Sequence, residues 1–306
     1  MFVGHISVDK VENVNGTRVQ PGGAALYAAM AARTLFPNVT LISATGKDYD
    51  FLDVLALLPY RDVKMYDAPS TRFHIKYDRR WEAHYLRADH GAGSRITSRR
   101  ISDRWLRHKS IFHISPMRAS KVARILDKIK QKSPETKVSV NTWIDYIREG
   151  RRSRRILKEL ALKADFFILN DTEAKALAQT DSISSAVRLL KAKMLIVTLG
   201  NLGAIISGEN VDMRMVPTLN LSPDKVVDTT GAGDVWCGAF LATYNLTEDF
   251  GKSVSAASTI SRIKCSDWGF QSLINLRFKE PNDVIEFVMG LKDGGIQKRM
   301  LDYMKD

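Results

Sequence analysis

The stretch Asp228-Thr229-Thr230-Gly231-Ala232-Gly233-Asp234 holds the richest chemistry in the 306-residue chain. Glycines at 231 and 233, around a bare Ala232, let the backbone come close to an anion. Successive N–H groups at a helix start make a concave anion site, and the helix dipole adds positive potential. Such a site suits the charge that gathers on a phosphoryl group in transfer. Asp234 falls at the same helix end, where a carboxylate is favoured. A carboxylate beside a phosphate can take the proton of an attacking hydroxyl. A bare Gly-x-Gly would read more plainly as a turn, with Asp234 as a helix cap. Seven specific residues that end a strand and open a small-residue helix favour the chemical reading.

Asp9, in Gly4-His5-Ile6-Ser7-Val8-Asp9, is a second candidate. It is expected to end the first strand, at the sheet edge where α/β proteins bind ligands. A carboxylate there can accept hydrogen bonds from two hydroxyls. The alternative is a loop aspartate capping a turn. Asn170-Asp171-Thr172-Glu173 has the spacing of a capping box, Asn at N-cap and Glu at N3.

The elements that must position these residues alternate between strand and helix. Strands are expected at 2–6, 39–44, 110–115, 138–140, 166–169 and 195–199. Helices are expected at 22–35, 51–58, 121–129, 155–162, 172–178, 183–190, from 231 onward, at 253–263 and at 283–291. That rhythm implies a mostly parallel sheet covered by helices. Two excursions break it, at about 10–21 and 66–90. Period-two alternation either side of Asp78-Arg79-Arg80 signals a hairpin, and Asn15-Gly16 signals a turn in the other. The two are expected to pair into a small β-sheet that could act as a lid and exclude water from phosphoryl transfer. A simple edge hairpin is the alternative. No boundary divides the chain, so a single domain over 1–306 is expected.

With these landmarks in place, the 228–234 stretch resembles the signature of the ribokinase-like superfamily, the PfkB carbohydrate kinases. The resemblance spans nearly the whole chain. It implies a three-layer α/β/α sandwich with a mostly parallel central sheet and a small β-sheet lid. It implies ATP and Mg2+ as cofactors, Asp234 as the catalytic base, and Gly231, Ala232 and Gly233 as the anion hole. Gly22-Gly23-Ala24-Ala25-Leu26-Tyr27 looks like the family's Gly-Gly-x-x-x-Asn segment, with Tyr27 in place of the usual Asn. Asp9, Gly22, Gly23 and Tyr27 would then face the acceptor, with Arg148 as a weaker addition near Asn141. Asn170 and Glu173 resemble the segment that positions Mg2+ and phosphate, largely through water. Thr198, Gly200 and Gly203 resemble the strand-end turn near the nucleotide, and Thr229 falls on the same side. Residues 219–226 and the helix around Ala256, Ala257 and Ser258 fall where the family encloses adenine.

The resemblance implies a kinase acting on a hydroxyl of a sugar or cyclitol. A nucleoside kinase of the same family is the alternative, and a non-catalytic ligand- or nucleic-acid-binding relative is the rival from another class. The departure at Tyr27 leaves the reaction intact and bears on the acceptor. A homodimer paired through the lid is also implied.

Composition narrows the remaining classes. Two cysteines are too few for a disulfide framework and point to a reducing, cytoplasmic setting. No signal peptide and no membrane-spanning run are expected. The net charge of +12 is locally concentrated at Arg148, Arg151, Arg152, Arg154 and Arg155. That run reads as the solvated first turns of an amphipathic helix, or as the neighbourhood of an anionic ligand. Neither zinc-finger spacing nor an aromatic RNA-binding motif accompanies it, so no specific nucleic acid partner is expected. No P-loop is present. The six histidines lack metal spacing, although His74 and His84 fall in the expected lid hairpin.

Overall fold

A computed structural model describes residues 1–58, 60–107, 110–209, 211–217, 226–278, 283 and 286. In chain order come β1 (Phe2–Val3), β2 (Ser7–Asn13), β3 (Gly16–Gly22), α1 (Ala24–Arg33), β4 (Thr40–Gly46) and α2 (Leu52–Ala56). Next are β5 (Tyr60–Tyr66), β6 (Thr71–Tyr77), β7 (Ala83–Asp89), β8 (Ile111–Ile114), α3 (Ala119–Lys132) and β9 (Lys137–Asn141). Then follow α4 (Ile144–Arg148), α5 (Arg151–Lys163), β10 (Phe166–Asn170), α6 (Asp171–Ala178), α7 (Ile183–Leu189) and β11 (Met194–Thr198). Last are β12 (Gly203–Gly208), β13 (Val211–Pro217), α8 (Ala232–Thr247), α9 (Phe250–Cys265) and α10 (Gln271–Ile274). The described residues fall into two compact units, one from Met1–Gly4 with Ile96–Thr218 and one from His5–Arg95 with Leu219–Asp306.

In the first unit the strand order is β13-β12-β11-β10-β9-β8-β1. From β1 to β11 every neighbour is parallel. The apolar runs of β8, β10 and β11 suit strands buried on both faces, which is where parallel sheets occur. Between them α3 buries Val122, Ile125, Leu126 and Ile129, one apolar stripe at helical spacing. Likewise α5 buries Leu157, Leu160 and Ala161, while Arg151, Arg152 and Arg155 face solvent. The antiparallel β12–β13 hairpin extends the sheet from β11 and was not expected from the sequence.

In the second unit β4 and β5 run parallel, and a separate four-stranded sheet has the order β3-β2-β6-β7. The hairpins β2–β3 and β6–β7 are antiparallel and join through parallel β2–β6 pairing, Ser7 opposite Thr71 through Glu12 opposite Lys76. The two excursions therefore pair as expected. Their start differs from expectation. The first strand stops at Val3, and chain from Ser7 onward belongs to the small sheet, where seven registered pairs with β3 supply its ladder. Asp9 is thus the third residue of β2 and not the end of a central strand. A small core of Val11, Ile75 and Tyr77, with Phe73, Trp81 and Trp268 packed on it, holds this sheet.

Helix α1 is buried on every side, from Ala25 through Ala32. Its small residues let α8 come close: a Cβ at Gly238 would stand 2.0 Å from the Ala28 carbonyl oxygen. Of the expected elements, the 283–291 helix and the 219–226 segment lie outside the described residues, except at 226, 283 and 286. Among the described residues no helix is long and apolar enough to cross a membrane.

Candidate active site

Helix α8 opens on Gly231, whose φ of 72° lies in the left-handed region that glycine reaches freely. Ala232 N–H donates to the Thr229 carbonyl at 3.1 Å, and Val235 N–H to the Gly231 carbonyl at 2.9 Å. The Ala232 amide thus closes the turn that leads into the helix. Gly233 is exposed, and its N–H belongs to the first turn, where α-helical geometry supplies no acceptor. Asp234 is half-buried in that same turn of a sixteen-residue helix. The arrangement can receive an anion at the helix end and a proton on the adjoining carboxylate.

Asp228, at the head of the motif, is fully buried and heavily bonded. Its Oδ1 accepts from Thr230 N–H at 2.8 Å, an Asx-type turn. Its Oδ2 accepts from Gln20 Nε2 at 3.0 Å and from Gly269 N–H at 2.9 Å. Lys264 Nζ stands 3.3 Å from Oδ2 and donates to the Asp228 carbonyl at 2.7 Å. Lys264 too has no solvent exposure. Burial alone would raise the Asp228 carboxyl, but the Lys264 ammonium and the Gln20 and Thr230 donors hold it below its usual range. Burial lowers the Lys264 ammonium, and Asp228 opposes that shift. Further bonds tie the turn to α9: Val227 N–H reaches the Cys265 carbonyl at 2.8 Å, and Ser261 Oγ reaches the Ala232 carbonyl at 2.8 Å.

Asp9 lies close enough to this cluster to feel the charges of Asp228 and Asp234. It is 2% exposed and accepts from Ser7 Oγ at 2.6 Å. Burial raises its carboxyl to about 7, and the nearby charges of Asp228 and Asp234 push the same way, against the Ser7 and Gly23 donors. Gly22 leaves room for it: a Cβ at 22 would stand 1.8 Å from Asp9 Oδ2. Gly23 caps α1 at φ 100°, pressed against the His5 carbonyl. Tyr27 is 1% exposed and packs against Gly231, edge-on to Phe270 at 5.6 Å between ring centroids. Its hydroxyl accepts from Gln20 Nε2 at 3.3 Å, and Lys264 Nζ stands 5.5 Å from its ring centroid. Tyr27 is thus a wall behind the turn. Thr229 and Thr230 neighbour the Tyr77 phenol of the small sheet.

The second unit thus brings together Asp9, Gly22, Gly23, Tyr27, Thr229, Gly231, Ala232, Gly233 and Asp234. Sequence reasoning missed Gln20, Tyr77, Asp228 and Lys264. One signal was present: Lys264 falls on the apolar stripe Ala256, Ala257, Ile260, Ile263 of α9, where a cation is out of place unless paired. Ala256 and Ala257 themselves are fully buried in that packing, and Ser258 accepts from Trp236 Nε1 at 3.1 Å.

The first unit holds the other candidates. Asn170 and Glu173 form a reciprocal capping box: Glu173 N–H to Asn170 Oδ1 at 2.8 Å and Asn170 N–H to Glu173 Oε2 at 3.0 Å. Thr198 ends β11, Gly200 opens a single 3-10 turn at φ 58°, and Gly203 starts β12. Arg148 is exposed at the end of α4. His74 and His84 are engaged within the small sheet of the second unit, His74 with Glu12 at 2.7 Å and His84 near Asp78 at 3.8 Å.

A mostly parallel sheet with crossover helices, a small second sheet and a glycine-opened helix bearing an aspartate define a ribokinase-like α/β protein. Ribokinase from Giardia lamblia has this fold, with a TM-score of 0.75 at 19% identity over 93% of this chain and 98% of that one. The model of the pfkB family of carbohydrate kinases matches residues 2–275, and the chain belongs to that family. Among curated relatives, the cytidine kinase of Thermococcus kodakarensis is 27% identical over 279 residues, covering 89% of this chain and 98% of that protein. The ribokinase of Bacillus subtilis is 26% identical over 274 residues, covering 85% and 87%.

Proposed function

We propose that this kinase transfers the γ-phosphoryl group of ATP to a ribose hydroxyl of a nucleoside, with Asp234 as general base. The single observation that carries the reading is the convergence of Asp234, the Gly231 turn and buried Asp9 in one compact unit. Asp9 accepts hydrogen bonds from acceptor hydroxyls, and Gly22 and Gly23 let them approach the backbone. The attacking oxygen forms a bond to phosphorus as its proton passes to an Asp234 oxygen. The bond from phosphorus to the leaving oxygen of ADP breaks, and the N–H groups of Gly231 and Gly233 take up the charge that develops. Asp234 then returns its proton to water.

Mg2+ bound with ATP would draw charge from the transferring phosphoryl group, and it is an ion that takes few protein ligands. Glu173, through water, and Asn170 are the residues assigned to the ion and phosphates, with Thr198, Gly200 and Gly203 toward the nucleotide and Thr229 toward its phosphate. A homodimer through the small sheet, whose β7 is exposed along nearly its whole length, belongs to the same reading.

Two observations favour a nucleoside over a free sugar. One relative, covered to 98% of its length at 27% identity, is a cytidine kinase. The small sheet also carries Phe73 and Trp81, aromatic rings only partly buried against its core, and a base stacks on rings of this kind. A free pentose is the second reading, favoured by the ribokinase relative. The test is ADP release from ATP and Mg2+ with cytidine, uridine, adenosine, inosine, ribose, fructose and myo-inositol. Turnover with a nucleoside well above that with ribose is expected; turnover confined to ribose, fructose or myo-inositol would overturn the nucleoside assignment.

A further inference from the structure

Lys264 is, among the described residues, the one lysine or arginine in the buried class. An ionised amine with no solvent exposure is costly to bury, and replacing such a pair by apolar residues is often neutral or stabilising. Its retention calls for a role other than stability. The ammonium touches two parts of a single residue, the Asp228 carboxylate at 3.3 Å and the Asp228 main-chain carbonyl at 2.7 Å. It therefore fixes the orientation of the peptide that leads into Thr229-Thr230-Gly231. The third surface it meets is the Tyr27 ring, which also backs Gly231. The charge matters as well. Asp228 and Asp234 both act on Asp9 through space, and an uncompensated Asp228 would repel an incoming phosphate.

We infer that Lys264 is a positioning residue for phosphoryl transfer: its ammonium is a tethered counter-cation that neutralises Asp228 and holds the turn opening α8 in its anion-receiving shape. The inference rests on the proposed role of Asp234 and the Gly231 turn. It assigns Lys264 no contact with substrate.

The experiment compares wild type, Lys264→Ala, and the uncharged pair Lys264→Met with Asp228→Asn, using ATP and whichever of cytidine or ribose the wild type phosphorylates. Lys264→Ala should lose at least tenfold in kcat with a much smaller change in acceptor KM. Methylammonium, which supplies the Cε–Nζ end of the deleted group, should restore several-fold of that loss. Tetramethylammonium at equal ionic strength should not. The double variant, with no unpaired charge, should unfold at a temperature close to wild type and still turn over at least tenfold more slowly. Folded Lys264→Ala within threefold of wild-type kcat would overturn the inference. So would methylammonium restoring no more than tetramethylammonium, or a double variant that recovers kcat along with stability. If Lys264→Ala does not fold, the double variant decides alone. A wild type that releases no ADP with either acceptor would remove the underlying reading first, and the two failures are thereby told apart.

Discussion

The Tyr27 ring lies so close to Gly231 that a Cβ at position 231 would stand 2.3 Å from Cδ2 and 2.4 Å from Cγ. The helix that presents Asp234 therefore begins where a side chain has no room, against a residue that is itself fully buried. The same glycine takes a φ of 72°. Position 231 is thus fixed twice over, by backbone angle and by the tyrosine behind it.

Gly231→Ala should carry both costs. The left-handed angle alone is worth about 1–3 kcal/mol for a residue with a Cβ, and the Tyr27 ring must shift in addition. A lower unfolding temperature is expected, together with a kcat reduced at least tenfold, because the N–H groups beside Asp234 move with the turn. Thermal unfolding and steady-state kinetics of the one variant check both.

Asp9 makes the enzyme sensitive to pH in a defined direction. Its carboxyl sits at about 7 in the fold against an ordinary 3.8. Between those values the native state keeps a proton that the unfolded chain has released, so this group's contribution to stability falls as pH rises from about 4 to 7. Each tenfold difference in proton affinity is worth about 1.4 kcal/mol. Asp9→Asn should remove that dependence, so its stability relative to wild type improves as pH rises through this window. Acceptor hydroxyls prefer the ionised carboxylate, so acceptor KM should fall as pH rises through about 7 in wild type. In Asp9→Asn it should stay high and flat. Urea unfolding at several pH values and a KM profile test the two halves separately.

The capping box at Asn170 and Glu173 allows its structural and nucleotide roles to be separated. Asn170→Ala should cost about 1 kcal/mol of stability through the lost cap. Glu173→Gln keeps an oxygen that can accept from Asn170 N–H, so stability should hold. If Glu173 serves Mg2+ through water, the same variant should raise KM for Mg–ATP at least several-fold. An unchanged KM would leave Glu173 a cap alone.

Much of this fold was legible in the sequence because its signals are local. Apolar runs at Phe166 to Leu169 and Leu195 to Val197 and the helical stripe from Val122 to Ile129 gave strands and helices within a few residues of their places. The two excursions were legible as hairpins, and their mutual pairing followed. What escaped were features set by distant partners. Ser7 to Asp9, expected to close the first strand, joined the small sheet because β3 and β6 offered them a ladder. The β12–β13 edge escaped because no residue of β13 is buried, so the strand owes its place to pairing with β12 and not to an apolar face. In the site, Asp234 and its glycines form one contiguous motif and were found at once. Gln20 and Lys264 lie 208 and 36 residues from Asp228 and meet it only in three dimensions.

Asp234 is the residue on which the proposed transfer depends most directly. Asn in its place keeps the size and the helix position but cannot take a proton from the attacking hydroxyl. With ATP, Mg2+ and the acceptor the wild type prefers, Asp234→Asn should bind both ligands and unfold at a temperature close to wild type. Its kcat should fall by about 100- to 10,000-fold. A folded Asp234→Asn enzyme turning over within a fewfold of wild type would contradict the assignment of the base.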